Sequence, residues 1–407
     1  MTPTPFFAPC PRGLEAALAT ELRAIGATVR GEVPGGVRFE GDASIGLAVN
    51  LHSRIASRVL QQVAAGSYRS EDDLYRLAHD TDWERWHEPL ASLRIDVNAS
   101  GSPLHSLHFA TLRIKDGIVD RLRERFGDRP SIERQRPDRR VFAFLDAQRC
   151  TLYLDWSGES LFKRGWRRDG FEAPLKENLA AGLLAVAGWQ PDMPLLDPFC
   201  GSGTIVIEAA MQAAGVPPGA NRRFGFERMR GFDRAAWDRM RQVAPRAAPA
   251  SPTIFGSDVS EAAIAAARAN LERSGVDPRW LRLRQLDVLN LDAAPAATGL
   301  LLANPPYGER LDVKGRQSLT QAERFWPAFA TLLKQRFTGW TACLFTSDLE
   351  LPQMLRLKPS RRTPLFNGAL ECRLFRFEMV AGSARRVPGA PVDPAGPATP
   401  TAPPRQP

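Results

Sequence analysis

The chain shows two different patterns of hydrophobic and polar positions. In the amino-terminal part, amphipathic stretches with three- and four-residue steps mix with short apolar runs in no regular order. Helices are predicted over residues 14–25 and 112–126. From about residue 191, short apolar runs alternate with helical stretches, which is typical of a parallel sheet covered by helices. We therefore predict an α+β region followed by an α/β domain.

The same patterns place further elements and divide the chain into five segments. Short strands are predicted around residues 6–8, on both sides of Gly35-Gly36, and at 92–97, 141–145 and 150–154, and one long helix over 45–65. The segments are an α+β unit at 1–50, a second α+β region at 51–157, a basic connector with a covering helix at 158–190, the α/β domain at 191–380, and a tail at 381–407. The tail is rich in proline and alanine, so we predict that it is disordered.

The composition and the amino-terminal sequence limit the classes of binding partner and the cellular compartment that we expect for this protein. The 407 residues carry 54 Lys plus Arg and 45 Asp plus Glu, a net charge of +9 that favours a polyanionic partner. Five widely spaced cysteines include no Cys-x-x-Cys pair, so neither a metal site nor a disulfide framework is predicted. The amino terminus lacks a basic segment followed by a long apolar one, and no run approaches about 18 apolar residues. We expect a cytoplasmic protein without membrane association and without an obligate protein partner.

A glycine-rich turn follows the first apolar run of the predicted α/β domain. Residues 195–204, LLDPFCGSGT, lead into IVIEAA, which predicts a strand, a loop and a helix. Glycines let the backbone approach a ligand closely, and a helix amino terminus favours a group such as a carboxylate. A phosphate-binding P-loop is excluded because Gly-Lys-Ser/Thr is missing, and the full G-x-G-x-x-G dinucleotide fingerprint is missing as well.

Three more apolar runs each lead to an acidic or amide side chain. Asp258 ends the second run and is placed to accept hydrogen bonds from two ribose hydroxyls. Asp287 ends the third, where it could accept from an adenine amino group, and Asn304 ends the fourth. Each aspartate taken alone could instead cap a helix or a turn. The repetition at four strand ends favours one ligand-binding edge of a parallel sheet.

The fourth run continues into the turn ANPPYGER, residues 303–310. Asn304 is expected at the carboxyl end of a strand, where open parallel sheets bind their ligands. Pro305 and Pro306 restrict φ, remove two backbone donors and hold Asn304 extended, so carbonyls and the amide oxygen face the site as acceptors. Such acceptors suit a planar nitrogen, and we predict methylation of an exocyclic amine.

Two basic stretches are candidates for contact with nucleic acid. The connector KRGWRR places four cations around a tryptophan, which combines phosphate contact with stacking, and an interdomain salt-bridge role is its alternative. The basic face of the helix predicted at 112–126 either follows phosphates or is a solvated charged face. The candidate RNA-binding residues are Lys115, Lys163, Arg164, Trp166, Arg167 and Arg168.

Several motifs resemble known families. Four segments resemble the cofactor and catalytic motifs of class I S-adenosylmethionine-dependent methyltransferases, in the order that superfamily uses. They are DPFCGSGT, GSDVSEAAIAAARANLERSGV, LRQLDVLNL and ANPPYGERL. Further segments resemble the amino-terminal half of the bacterial 23S rRNA guanine-N2 methyltransferase family. They are RGLEAALATELRAIGA, GGVRFEGD, SRIASRVL, IKDGIVD, LDWSGESLFKRGWR and APLKENLAA. The resemblance covers about residues 1 to 380. Enterobacterial members carry a second methyltransferase domain, whose activity is not carried over to this chain.

The resemblance implies a fold, a cofactor and a set of site residues. The fold would be a Rossmann-like class I methyltransferase domain, with a mostly parallel seven-stranded sheet, preceded by a ferredoxin-like unit and a THUMP RNA-binding domain. S-adenosylmethionine would be the cofactor and RNA the partner. The implied cofactor residues are Asp197, Phe199, Gly201, Ser202 and Gly203 on the methionine side, Asp258 and Val259 at the ribose, and Asp287 and Val288 at the adenine. The implied target-base residues are Asn304, Pro305, Pro306 and Tyr307.

The motifs predict methylation of a planar amine, and the resemblance implies that this amine is guanine N2 in 23S rRNA. The Asn304 side-chain oxygen and the Pro305 carbonyl would accept hydrogen bonds from the two N–H groups of the amine, and Tyr307 would stack on the base. The reaction would not need a strong general base. Guanine N2 in tRNA, adenine N6 in DNA and a release-factor glutamine would use the same residues. A non-catalytic RNA-binding assembly factor is the alternative from another class, and the intact acidic strand ends weigh against it.

Overall fold

A computed structural model describes residues 3–167, 175–305 and 317–381, with the side chains of 317–323 excepted. Two seven-stranded sheets organise these residues. No helix within the described ranges is long and apolar enough to cross a membrane. The predictions for Arg168, Pro306 and Tyr307, and for residues 382–407 of the tail, lie outside the described residues.

The first sheet begins with a ferredoxin-like βαββαβ unit. Its elements are β1 (Thr4–Pro9), α1 (Glu15–Ile25), β2 (Thr28–Val33), β3 (Gly36–Gly41), α2 (Ala43–His52) and β4 (Leu60–Ser67). β1 lies between β3 and β4 and pairs antiparallel with both, and β2 pairs antiparallel with β3. Phe6, Leu18 and Val49 are buried between the sheet and the two helices. The predicted first helix and the strand pair around Gly35-Gly36 are confirmed.

The prediction of one helix over residues 45–65 is wrong. α2 and β4 occupy its two ends, and a loop joins them. A tertiary contact ends α2: the Glu21 carboxylate accepts hydrogen bonds from the Ser53 hydroxyl at 2.7 Å and from the backbone N–H groups of Arg54 at 2.6 Å and Ile55 at 3.3 Å. A continuing helix would need those N–H groups for carbonyls four residues earlier, so the helix stops there.

β4 also belongs to the second half of the sheet. The remaining elements are α3 (Glu71–His79), β5 (Leu93–Ala99), α4 (Leu107–Phe126), β6 (Arg139–Leu145) and β7 (Arg149–Asp155). The strand order is β2-β3-β1-β4-β7-β6-β5, with only β5 and β6 parallel. α4 begins five residues before the predicted position of residue 112 because the Ser106 side chain caps it, accepting from the Phe109 N–H. The two predicted amino-terminal units therefore share one continuous sheet.

The second sheet forms the α/β domain. Its elements are α5 (Glu177–Ala187), β8 (Leu195–Asp197), α6 (Thr204–Ala213), α7 (Arg234–Arg241), β9 (Ile254–Asp258), α8 (Glu261–Ser274), β10 (Leu281–Gln285), β11 (Gly299–Ala303), α9 (Gln317–Arg336), β12 (Trp340–Thr346), α10 (Leu351–Met354), β13 (Arg361–Asn367) and β14 (Leu370–Glu378). The order is β10-β9-β8-β11-β12-β14-β13, and β14 runs antiparallel to both of its neighbours. The other pairings are parallel. The predicted mostly parallel seven-stranded sheet is confirmed.

Two arginines, one buried and one half-buried, join the two sheets. Arg222, between α6 and α7, donates hydrogen bonds to four carbonyls of residues 157–163. Arg54 donates to the Val216 carbonyl at 2.6 Å. Arginine suits this position because its planar group presents five donors, enough to satisfy several carbonyls at the ends of loops. The amino-terminal region is thereby held against the α/β domain.

Candidate active site at the carboxyl ends of the second sheet

The candidate site lies where four parallel strands end. β8 ends at Asp197 and β9 ends at Asp258, while Asn304 directly follows β11. Backbone register pairs Asp197 with Gly256 and Asp258 with Gln285, so the carboxyl ends of these strands meet at one edge. Tertiary structure therefore brings together the polar side chains that the sequence places after separate apolar runs.

The two glycines of the loop after β8 have different reasons to be glycine. Gly201 has φ +54°, its N–H donates to Asp258 Oδ2 at 3.0 Å, and a side-chain carbon built on it would meet nothing within 4 Å. Gly203 has φ +88° at the start of α6, and a side-chain carbon there would lie 3.1 Å from Ala267 Cβ. Gly201 thus leaves open space beside the strand ends, and Gly203 lets α6 pack on α8.

Asp197 is a buried carboxyl at the base of this loop. It is 2% exposed, and Oδ1 accepts a hydrogen bond from the Phe199 N–H at 3.1 Å. Burial, together with the nearby charge of Asp258, raises the pKa of Asp197 to about 8. No cation in the described part of the chain forms an ion pair with it. A ligand that carries a positive charge would favour its ionised form.

Asp258 joins the loop to the neighbouring strand. Oδ1 accepts from the Ser260 N–H at 2.9 Å, and Oδ2 accepts from Gly201. Each carboxylate oxygen can accept a further hydrogen bond, so both remain available to ligand hydroxyls. Ser260, rather than Asp258, caps α8 through the Ala263 N–H. The helix-cap alternative for Asp258 is therefore wrong, while Val259 beside it is 68% exposed.

Asp287 lies two residues beyond its strand. β10 ends at Gln285, and the Leu286 N–H donates to the Asp258 carbonyl at 3.0 Å. Asp287 is exposed and caps a short turn, accepting from the Leu289 N–H at 3.0 Å, and Val288 is buried. The prediction that the strand extends to Asp287 is wrong, whereas the adenine contact of Asp287 and Val288 stays a prediction.

Asn304 and Pro305 follow β11 directly. Pro305 is buried and Asn304 is half-buried. The Asn304 Oδ1 atom is buried and accepts no hydrogen bond within the described residues. An unsatisfied buried acceptor costs about 1–3 kcal/mol, which makes a ligand donor the natural partner for it.

Phe199 forms a wall between the loop and α9. Its ring lies 5.5 Å from that of Phe329 and 6.1 Å from that of Phe325, both edge-on. Phe199 itself is half-buried. The loop therefore packs against α9, the helix that follows the NPPY sequence in the chain, through one aromatic cluster.

The structure places two of the predicted RNA-binding residues of the connector in the interior of the protein. Arg164 is 2% exposed and Trp166 is 1% exposed, so neither side chain reaches the surface, and that prediction is corrected. Arg164 Nε lies 3.1 Å from Glu208 Oε1 on α6, which is the interdomain salt bridge of the alternative. Lys163 is exposed and lies 3.4 Å from Glu159, so RNA contact stays a prediction for Lys163.

Arg167 points into the candidate site. Its guanidinium donates to Glu177 Oε1 at 2.7 Å, to Ser202 Oγ at 3.2 Å and to Thr204 Oγ1 at 2.6 Å. It thereby ties the connector and α5 to the glycine loop. Sequence reasoning missed Glu177 and placed Arg167 on the RNA, because nothing in the spacing of KRGWRR indicates which cation turns inward.

The basic face of α4 is paired with acids. Lys115 lies 2.8 Å from Asp116, and Arg113 lies 2.6 Å from Asp72. Arg121 contacts both Asp82 and Glu84, at 2.6 Å and 2.7 Å. These contacts favour the solvated charged face over a phosphate-binding stripe, and RNA contact by Lys115 stays a prediction.

Models of known families match three parts of the chain. Residues 5–60 match the RlmL ferredoxin-like domain, residues 68–155 match the THUMP domain, and residues 164–376 match the RMKL-like methyltransferase domain. The last match covers more than half of the chain. The chain belongs to the RMKL-like methyltransferase family. The predicted family, domain types and class I methyltransferase fold are confirmed.

Relatives and solved structures agree with this membership. The ribosomal RNA large subunit methyltransferase K/L of Syntrophotalea carbinolica is 40% identical over 390 residues, 93% of this chain and 54% of the relative. This RMKL-like chain thus spans about half the length of the curated relatives it matches. A possible methylase from Clostridium difficile 630 matches at TM-score 0.83 and 27% identity, covering 94% of this chain and all of that one. SMU.472, solved in complex with SAH, matches at TM-score 0.80 and 28% identity with the same coverage.

Proposed function

We propose that this protein transfers a methyl group from S-adenosylmethionine to the exocyclic N2 of a guanosine in 23S rRNA. The observation that carries the proposal is the buried Asn304 Oδ1 atom, which has no donor within the described residues and lies at the strand edge shared by Asp197 and Asp258. An acceptor at this position suits the N–H of a planar amine. The name of the 40% identical relative, ribosomal RNA large subunit methyltransferase K/L, supports large-subunit rRNA as the substrate.

The residues at the strand ends fit S-adenosylmethionine. The open space at Gly201 admits a ligand against the backbone, and the buried Asp197 carboxyl has no paired cation among the described residues, so the methionine amino group would supply one. The amino terminus of α6 suits the methionine carboxylate. Asp258 has acceptor capacity left for the ribose hydroxyls. SMU.472, which binds SAH, supports the same choice of cofactor.

Hydrogen-bond acceptors of the protein position the amine for methyl transfer. When bound, S-adenosylmethionine supplies an electrophilic methyl group. Asn304 Oδ1 and the Pro305 carbonyl accept hydrogen bonds from the two N–H groups of guanine N2, which favours a pyramidal nitrogen with its lone pair free for attack. After transfer, the methylated nitrogen loses one proton to these acceptors or to water. Positioned acceptors suffice, so the mechanism needs no strong general base.

Access to this site requires an unpaired base. Guanine N2 lies at the edge of a stacked and paired base, so the target nucleotide must leave its stack to reach Asn304. The domain at residues 68–155 matches THUMP, and the THUMP resemblance implies RNA binding. We therefore assign the amino-terminal region to holding the RNA and the strand ends of the second sheet to the chemistry.

Replacement of Asn304 by alanine tests the proposed chemistry. Because Asn304→Ala removes the acceptor but leaves the cofactor residues intact, we expect S-adenosylmethionine affinity within about twofold of normal and methyl transfer about 100-fold slower. Calorimetry measures the first quantity and transfer of labelled methyl groups to 23S rRNA measures the second. Asn367→Ala, at the end of β13 on the far edge of the sheet, is the matched control and should behave as the unmodified protein. Normal turnover in Asn304→Ala would show that Asn304 does not have the proposed role in methyl transfer.

The substrate is tested separately by nucleoside mass mapping. RNA from a deletion strain should lack one N2-methylguanosine in 23S rRNA while its tRNA stays unchanged. An unchanged 23S rRNA would refute the proposed substrate, and a loss in tRNA would assign the activity to tRNA instead.

A further inference from the structure

Among the described residues, one face of the first sheet carries no helix. α1 to α4 pack on the face that holds Phe6, Val141 and Leu152. Side chains alternate along a strand, so their neighbours in sequence point to the opposite face. That open face carries Phe7 on β1, Tyr153 on β7, and Phe142 and Phe144 on β6.

The four aromatic residues of the open face lie close to one another. Backbone register places Phe142 opposite Tyr153, and the Phe7 and Tyr153 rings lie 6.0 Å apart. Phe144 follows two residues after Phe142 on the same face and is 41% exposed, while the other three are half-buried. The result is an aromatic surface that crosses the sheet from β1 to β6.

Two arginines lie against one of these rings, that of Phe142. The guanidinium of Arg58 lies 5.3 Å and that of Arg140 lies 5.6 Å from the centroid of the Phe142 ring. Arg94, opposite Arg140 in the register of β5 and β6, shares the Asp96 carboxylate with it, at 2.7 Å and 2.9 Å. Arg58 is paired with the Asp155 carboxylate. The single Asp96 carboxylate between Arg94 and Arg140, in contrast, leaves one positive charge at the edge of the aromatic surface, which attracts a polyanion.

A single-stranded RNA segment fits this combination. Unpaired bases stack on exposed aromatic rings of a sheet, and arginines beside the rings contact the phosphates between them. A duplex keeps its bases inside and cannot use the rings. We infer that the open face of the first sheet, with Phe7, Tyr153, Phe142 and Phe144 as its stacking surface, binds an unpaired segment of the RNA substrate. The inference rests on the proposed function only in taking RNA as the substrate class.

Phe144→Ala tests this surface because Phe144 is the most exposed of the four rings. Affinity is measured by fluorescence anisotropy at fixed salt, without methyl donor, for a short labelled single-stranded RNA and for the same strand in a duplex. We expect Phe144→Ala to weaken single-strand binding about tenfold and Phe144→Trp to retain it, since stacking needs a ring but no particular one. The duplex should bind more weakly than the single strand and respond little to either change.

Phe109→Ala is the matched control. Phe109 is 49% exposed but lies on α4, in the helical layer of the same sheet, so its loss should leave RNA affinity unchanged. Thermal melting of each variant shows whether the fold is retained. Equal binding by Phe144→Ala and the unmodified protein, or an equal loss in Phe109→Ala, would overturn the inference. A concentration-dependent dimer that Phe144→Ala abolishes, without any change in RNA affinity, would assign the face to a second copy and overturn it too.

The two proposals fail in different ways. If the methylation proposal is wrong, 23S rRNA receives no methyl group although single-stranded RNA still binds in a Phe144-dependent manner. If the surface proposal is wrong, methyl transfer persists and Phe144→Ala binds RNA normally.

Discussion

At the scale of single residues, the buried carboxyl of Asp197 couples the candidate site to pH. Burial, followed by the charge of Asp258, raises its pKa from the usual 3.8 to about 8. The folded protein therefore holds a proton at Asp197 over a pH range in which the unfolded chain has lost it. Its contribution to stability is complete below about pH 4 and is lost as pH rises through about 8. A bound amino group would stabilise the ionised carboxylate and shift this balance.

Asp197→Asn should remove this pH dependence. For the unmodified protein we expect the free energy of unfolding to carry a component that falls by about 1.4 kcal/mol per pH unit between about pH 5 and about pH 7. The variant should lack that component because asparagine does not titrate. Urea unfolding of both proteins at several pH values measures the difference, and parallel pH profiles would contradict the assignment.

At the scale of elements, the glycine loop is held by a residue from outside its own strand and helix. Arg167 binds Ser202 and Thr204 on the loop and Glu177 on α5. Burial raises the pKa of Glu177, and the Arg167 guanidinium opposes that shift. Arg167 is therefore a positioning residue that fixes the loop from the connector.

Arg167→Gln should weaken S-adenosylmethionine binding about tenfold, or about 1.4 kcal/mol, because part of the energy of its charge-assisted contacts positions the loop for the cofactor. Calorimetry measures the affinity. The double variant Arg167→Gln with Glu177→Gln separates loop positioning from folding: it relieves the unpaired buried carboxylate, so the melting temperature should recover while the affinity stays low. Lys163→Gln is the matched control from the same connector. If Lys163→Gln weakens binding as much as Arg167→Gln, the positioning role is wrong.

At the scale of the whole molecule, the two sheets are joined through buried charge. Arg164 and Glu208 are both almost fully buried, and Arg164 also donates to the Arg54 and Leu161 carbonyls. Arg54 is the second cation near Glu208, at 3.9 Å. Such a pair specifies how its two sides meet, since each charge needs its partner once water is excluded.

Arg164→Met should therefore cost about 3–5 kcal/mol of folding stability, because it leaves the Glu208 carboxylate buried without its nearest cation. Adding Glu208→Gln should recover part of that loss. Denaturant unfolding of the single and double variants gives the coupling between the two residues. Lys163→Met, next to Arg164 but exposed, should change stability little. Equal effects of Arg164→Met and Lys163→Met would show that the ion pair contributes nothing.

The patterns that sequence reasoning used are local, and so are its successes. The period of apolar positions predicted α1 and the parallel strands of the second sheet, because an amphipathic helix or a buried strand shows its period in its own residues. It failed at residues 45–65, where Glu21 of α1 competes for the N–H groups that would extend α2. That competitor lies about 30 residues away in the chain and leaves no local signal.

The sequence by itself determined the motif order DPFCGSGT, GSD, LD and NPPY, and hence a class I domain with Asp197, Asp258 and Asn304 at its strand ends. Tertiary structure decided what the basic connector does. Arg164 and Arg167 turn inward because the buried carboxylates of Glu208 and Glu177 pair with them. Trp166, between them, is buried in the hydrophobic core. The order of charged residues along a chain does not show which way each side chain points. Only folding shows whether an arginine meets water, a phosphate or a buried acid.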